Sequence, residues 1–220
     1  MSSPPRAKSR YHHGDLRRSL LDAALLMLRE QGVESFSLRK LGERVGVSAP
    51  AIYHHFQHKL DLLAALAEEG LQAFEQGLGD ALTLPAASRK ERFEHLALAY
   101  IDFALAQPEL YELMMGRTLW RHPECPYTRR ARASFRRYTQ AMAAALPEVE
   151  QPLRLAQITW STLHGLVRMY NDGLAFARSD VEAIARRGVT LVLLQLQPSD
   201  ADTTTTAADR PGCHRGPAPS

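Results

Sequence analysis

SLRKLGERVGVSAPAIYHHF, residues 37–56, is the stretch around which the rest of the chain is arranged. It reads as two short helices joined by a tight turn. Ser37 offers an N-cap oxygen to a helix over residues 38–45. Leu38, Leu41 and Val45 fall at i, i+3 and i+7 and form one apolar stripe. Gly46 stands where a helix end favours positive φ, and Val47 fills the angle between the helices. Ser48 is placed to cap the second helix, with Pro50 in its first turn, where a missing N–H costs nothing. The residues left over are polar: Arg39 and Lys40 on the first helix, Tyr53, His54 and His55 on the second. Such a pair is the pattern of a helix-turn-helix, whose second helix enters the DNA major groove. Arg can fork onto a guanine edge, while Lys, Tyr and His can hold phosphate oxygens. Ala49 and Ala51 add no bulk, so the start of that helix can come close to base edges. A helical hairpin with a charged solvent face would show the same spacing.

A longer run extends the pattern. Residues 11–63, YHHGDLRRSLLDAALLMLREQGVESFSLRKLGERVGVSAPAIYHHFQHKLDLL, resemble the N-terminal DNA-binding domain of the TetR family of transcriptional regulators. The positions that carry the likeness are the Ala pair of the first helix, Gly32, Ser37-Leu38-Arg39, Gly46-Val47-Ser48, Ile52-Tyr53, Phe56 and Lys59. The resemblance implies an all-α homodimer, usually a repressor, that a small ligand releases from a near-palindromic operator in double-stranded DNA. Position by position, it assigns Arg39 to a guanine contact and Ala49, Pro50 and Ala51 to close base approach, with Ser48 in the DNA-facing set beside them. Tyr53, His55 and Lys59 grip phosphates, and Lys40 and His54 complete the DNA-facing set. Where the family often has Asn or Ser, this chain has His58. A second, shorter likeness covers Tyr11 to Leu16 and Trp160-Ser161-Thr162-Leu163-His164-Gly165, which resemble a TetR subgroup with Trp and His-Gly in its C-terminal domain.

Composition agrees with a cytoplasmic binder of a polyanion. The net charge of +3 is unevenly placed: residues 1–60 hold ten Lys and Arg against five acids, leaving −2 for the remainder. No secretory signal, no membrane span and no disulfide framework is read, since the two cysteines are Cys125 and Cys213. His12 and His13 are adjacent and lack a Cys or carboxylate partner, so they do not read as a metal site. No cofactor is implied.

The chain divides into a basic arm (1–10), a helix-turn-helix domain (11–57), a ligand-binding and dimerising domain (58–197) and a low-complexity tail (198–220). About nine helices are expected. They start with one over residues 15–31 and a long fourth helix from Lys59 to about Leu84. Ser88 and Glu91 form a capping-box pattern opening a helix over 89–106, and Pro108 restarts a short one. A basic helix from about Thr128 carries Arg129, Arg130, Arg132, Arg136 and Arg137, which read as solvated or acid-paired in preference to a second nucleic-acid surface. The last two helices run over 152–171 and 180–196, the final one capped by Ser179 and Glu182. Its apolar residues surround it, so its second face should meet a partner subunit.

Phe74, Phe103, Tyr111, Met114, Trp120, Phe135, Tyr138, Trp160 and His164 are candidates to line a cavity for a hydrophobic or amphipathic effector. An ordinary helical core would use the same residues. For an enzyme the chain lacks a nucleophile elbow, a phosphate-binding glycine loop, an HExxH pair and a Cys cluster.

Overall fold

The computed structural model describes residues 13–145, 151–174 and 177–194. The basic arm, His12, the side chain of His13, Cys213 and the 198–220 tail lie outside them. Within these residues the chain is helical throughout: α1 (His13–Gln31), α2 (Leu38–Val45), α3 (Ala49–His55), α4 (Lys59–Thr83), α5 (Arg89–Ala106), α6 (Pro108–Met115), α7 (Arg117–Trp120), α8 (Pro126–Ala145), α9 (Pro152–Asn171) and α10 (Arg178–Leu194). With the single turn α7 set aside, nine helices remain.

Caps explain most boundaries. The Ser37 side chain accepts from the Lys40 N–H at 3.2 Å, and Gly46 closes α2 with φ 75°, a conformation that costs a Cβ-bearing residue about 1 kcal/mol. At α5, Ser88 Oγ accepts from the Glu91 N–H at 3.2 Å, while the Glu91 carboxylate accepts from the Ala87 N–H at 2.7 Å. Asp61 reaches back in the same way to the His58 N–H at 2.8 Å to open α4.

Three expectations are corrected. Ser48 occupies the N-cap of α3 with extended backbone, yet its side chain makes no cap bond. The basic helix α8 begins two residues early, because Pro126 suits its first turn and the Arg129 N–H already reaches the Cys125 carbonyl at 3.1 Å. The start of α10 is fixed by Asp180, whose carboxylate accepts from the Ala177 N–H at 3.0 Å; Ser179 is inside the helix and Glu182 pairs with Arg178 at 3.3 Å.

α4, 25 residues and about 37 Å long, is the axis of the molecule. Its first turns pack on α1, and further along it meets α6, α8 and α5. α5 is covered on its other sides by α9 and α10. One core runs unbroken from Leu20, Leu28, Leu41 and Ile52 through Leu62, Leu63 and Leu66 to Leu113, Met114 and Tyr127. A second joins Ile101, Tyr111, Val167, Val181 and Ala185 under α5, α9 and α10. No helix among the described residues is long and apolar enough to cross a membrane.

Candidate nucleic-acid interface

The end of the molecule formed by α1–α3 presents the cationic surface. Leu38, Leu41 and Ile52 are buried, which turns the opposite faces of α2 and α3 outward. Arg39 and Lys40 are exposed, as are Ser48, Ala49, Pro50, Tyr53 and His54. His55 is half-buried, its ring 5.2 Å from that of His54. Ala51 packs partly against the core and is the least available of the small residues. The Arg39 side chain is 86% exposed and leans on Glu43 at 3.6 Å. An exposed i,i+4 pair of this kind contributes only about 0.3–0.5 kcal/mol, so the guanidinium is readily redirected.

Lys59 is more tightly engaged than the sequence suggests. Its ammonium donates to the Val33 carbonyl at 3.1 Å and sits 5.9 Å over the Phe36 ring. A shallow hollow of about 410 Å³ lies between Ser37, Arg39, Tyr53, His58 and Lys59. The N-termini of α2 and α4 both open there, so the positive ends of two capped helices and two cationic side chains border one hollow. Two ion pairs hold this end together: Arg44 grips the Glu30 carboxylate with both terminal nitrogens, and Arg18 Nη1 reaches Glu69 on α4 at 3.0 Å. Among the described residues no group of His, Cys, Asp and Glu could hold a metal ion.

A second feature lies along the C-terminal half of α4. A cavity of about 860 Å³ opens between α4, α5, α8 and α9. Phe74, Trp120, Phe135, Tyr138 and Trp160 line it. Phe103, Tyr111, Met114 and His164 do not. Phe103 packs behind Phe74 with ring centroids 5.3 Å apart, and Met114 is fully enclosed in the core next to the head. Tyr111 is committed to a hydrogen-bonded chain, with the Tyr100 hydroxyl at 2.6 Å and His164 Nδ1 at 2.7 Å. Burial pushes both phenols well above their usual range, so they stay protonated. His164 stacks on Trp160 at 5.1 Å; burial and then Arg168 hold its pKa below the ordinary value, against a smaller opposing pull from Glu112. The polar residues of the cavity, Glu75 and Ser134 among them, are absent from the sequence-based set. The signal available for Glu75 is a lone carboxylate amid Leu71, Phe74, Leu78 and Leu82 on α4.

Comparison with known proteins addresses both regions. Residues 20–66 match the family model for bacterial regulatory proteins of the tetR family, and residues 93–192 match that for the tetracyclin repressor-like C-terminal domain. The chain belongs to the TetR family. Regulators of the TetR family bind DNA operators and small-molecule ligands and act as dimers. The tetracycline repressor protein class A of Escherichia coli is 52% identical over 50 residues, 23% of either chain. The transcriptional activator FasR of Mycolicibacterium smegmatis is 28% identical over 109 residues, about half of each. These stretches thus span a quarter to a half of the curated relatives' length. A solved structure of a protein of unknown function from Rhodococcus sp. RHA1 is similar over nearly its whole length. It has a TM-score of 0.69 and 32% identity, covering 83% of this chain and 97% of that one.

Proposed function

We infer that this chain is a homodimeric, sequence-specific transcriptional regulator acting in the cytoplasm, a repressor that a small apolar or amphipathic ligand releases from a near-palindromic operator. It is a regulator and not an enzyme. The observation that carries the reading is the cationic hollow where Arg39, Tyr53 and Lys59 meet two helix N-termini beside the exposed face of α3. In this assignment residues 11–57 read DNA and residues 58–197 sense ligand and dimerise. Arg39 contacts a guanine, Ala49 to Ala51 approach base edges with Ser48 beside them, and Lys40, Tyr53, His54, His55 and Lys59 serve the backbone.

Dimerisation is supported by α9 and α10. Leu153, Ile158 and Met169 on α9 are exposed, as are Ile184, Leu191 and Leu194 on α10. Ile158 and Met169 share one side of α9, and Ile184 and Leu191 one side of α10; these apolar sides of two adjacent helices suit burial against a second copy, giving a two-fold four-helix contact. Two heads held by that contact would address successive major grooves. The cavity beside α4 supports ligand control, since α4 begins at the head and forms one wall of the cavity. By linkage, a ligand that weakens DNA binding must be weakened equally by DNA.

A second reading, activation, is favoured by the likeness to the transcriptional activator FasR. Selection of bound sequences from random duplexes, with Arg39→Ala in parallel, is the test of the first step. A palindromic consensus that the variant loses is the expected result. No enrichment over the variant from protein refolded free of ligand would overturn the reading.

A further inference from the structure

We propose that the effector is an amphipathic monoanion, its apolar body in the α4–α9 cavity and its carboxylate or equivalent head on Arg136 and Arg137. The inference rests on the cavity being the ligand site. Its interior is supplied by Leu71, Phe74, Leu78, Phe93 and Phe135, which can hold only an apolar body. Charge is confined to one side. The charged lining residues are Glu75 from α4 and Arg132, Arg136 and Arg137 from α8, and the three arginines are exposed.

Glu75 is not a free counter-ion for a cationic ligand. Its Oε1 accepts from Ser134 Oγ at 2.5 Å and from Arg137 Nη2 at 3.1 Å, and its Oε2 accepts from Arg130 Nη2 at 3.3 Å. Burial raises its pKa, but those donors outweigh burial and keep it below the ordinary value, hence ionised. Glu75 is the one carboxylate among the lining residues, against three arginines, of which it pairs with Arg137 alone; its second guanidinium comes from Arg130, outside the lining. Arg132 lies 5.8 Å over Trp120, and neither it nor Arg136 pairs with a carboxylate among the described residues. The two tryptophan faces, the strongest for a cation, are also engaged, Trp120 by Arg132 and Trp160 by His164. The open valence of the cavity is therefore for negative charge.

The same geometry gives the ligand a point of action. Glu75 and its three donors bridge α4 to α8, and α4 runs back to Lys59 at the head. An anion seated on Arg137 competes with Glu75 for that guanidinium and loosens the bridge.

Both tryptophans of the chain, Trp120 and Trp160, line the cavity, so intrinsic fluorescence reports its occupancy. The full chain is titrated, below micellar concentration, with dodecanoate, dodecanol and dodecyltrimethylammonium. Dodecanoate is expected to bind saturably and at least about tenfold tighter than the other two, the scale of one charged hydrogen bond. Arg137→Gln should lower dodecanoate affinity by about tenfold and leave dodecanol unchanged, which also shows that the variant is folded. Glu75→Gln should raise dodecanoate affinity by removing the competitor. Equal affinity for dodecanol with no effect of Arg137→Gln, or a preference for the ammonium, overturns the anion assignment while the cavity remains the ligand site. Absence of any saturable change with all three probes overturns the cavity reading and this inference with it.

Discussion

Lys59 is anchored to the Val33 carbonyl, whereas Arg39 leans only on the exposed Glu43, so the two cations should respond differently to substitution. Arg39→Ala is expected to cost about 1–3 kcal/mol on the preferred operator and to relax sequence preference. Lys59→Ala should weaken all duplexes alike and flatten the salt dependence by about one charge. Titrations on two operators at several salt concentrations distinguish them, and wild-type behaviour in both variants would remove the groove assignment. At His164 the sign of the pH effect follows from its lowered pKa. The unfolded chain takes up this proton at higher pH than the folded one. The stability contributed by neutral His164 is therefore complete above about pH 6.5 and is lost as pH falls from there towards the folded value. His164→Gln keeps a hydrogen-bonding partner for the Tyr111 hydroxyl but no longer titrates. Melting temperatures compared at pH 7.5 and 5.5 should fall less in the variant than in the wild type.

Among the elements, α4 and α6 cross at Gly70, where an added Cβ would lie 2.7 Å from Met114 Sδ and 3.1 Å from Leu110 Cγ and Cδ2. Both neighbours are buried with little room to retreat. Gly70→Ala should thus lower stability by about 1–3 kcal/mol, read from the urea midpoint, although alanine is the better helix former. On the outer pair, Ile158→Asp and Leu191→Asp each place a charge in the apolar face of α9 and α10. Sedimentation should show each variant as a monomer with a preserved helical spectrum; a persistent dimer would place the interface elsewhere. Element ends were legible in the sequence where an N-cap serine accepts from the first turn, as at Ser37 and Ser88, and at Pro108, the first residue of α6. They were less so at α8 and α10, where a backbone carbonyl and an aspartate two residues further on decide the start. The cavity was only half legible. A periodic aromatic shows that a residue faces inward, but not whether it meets open space, as Phe135 does, or another packed ring, as Phe103 does. Glu75 and Arg137 are 62 residues apart, and nothing local in the chain marks them as partners.

At the scale of the whole molecule, the helix-turn-helix and the two-part all-helical plan were readable because a long run, residues 11–63, carries turn, cap and core positions in one register. The packing between the parts was not, because it depends on where α6 returns. That return has a practical corollary for recombining such regulators. Leu110, Leu113 and Met114 share one apolar core with Leu20, Leu28, Leu41 and Ile52. A chimaera spliced at residue 57, joining this DNA-reading segment to another body, would therefore bring two unmatched half-cores together. A working graft has to move Leu62, Leu63, Leu66 and the inner face of α6 along with the head. A transplant of specificity alone should instead leave every buried residue in place and exchange only the outer faces of α2 and α3.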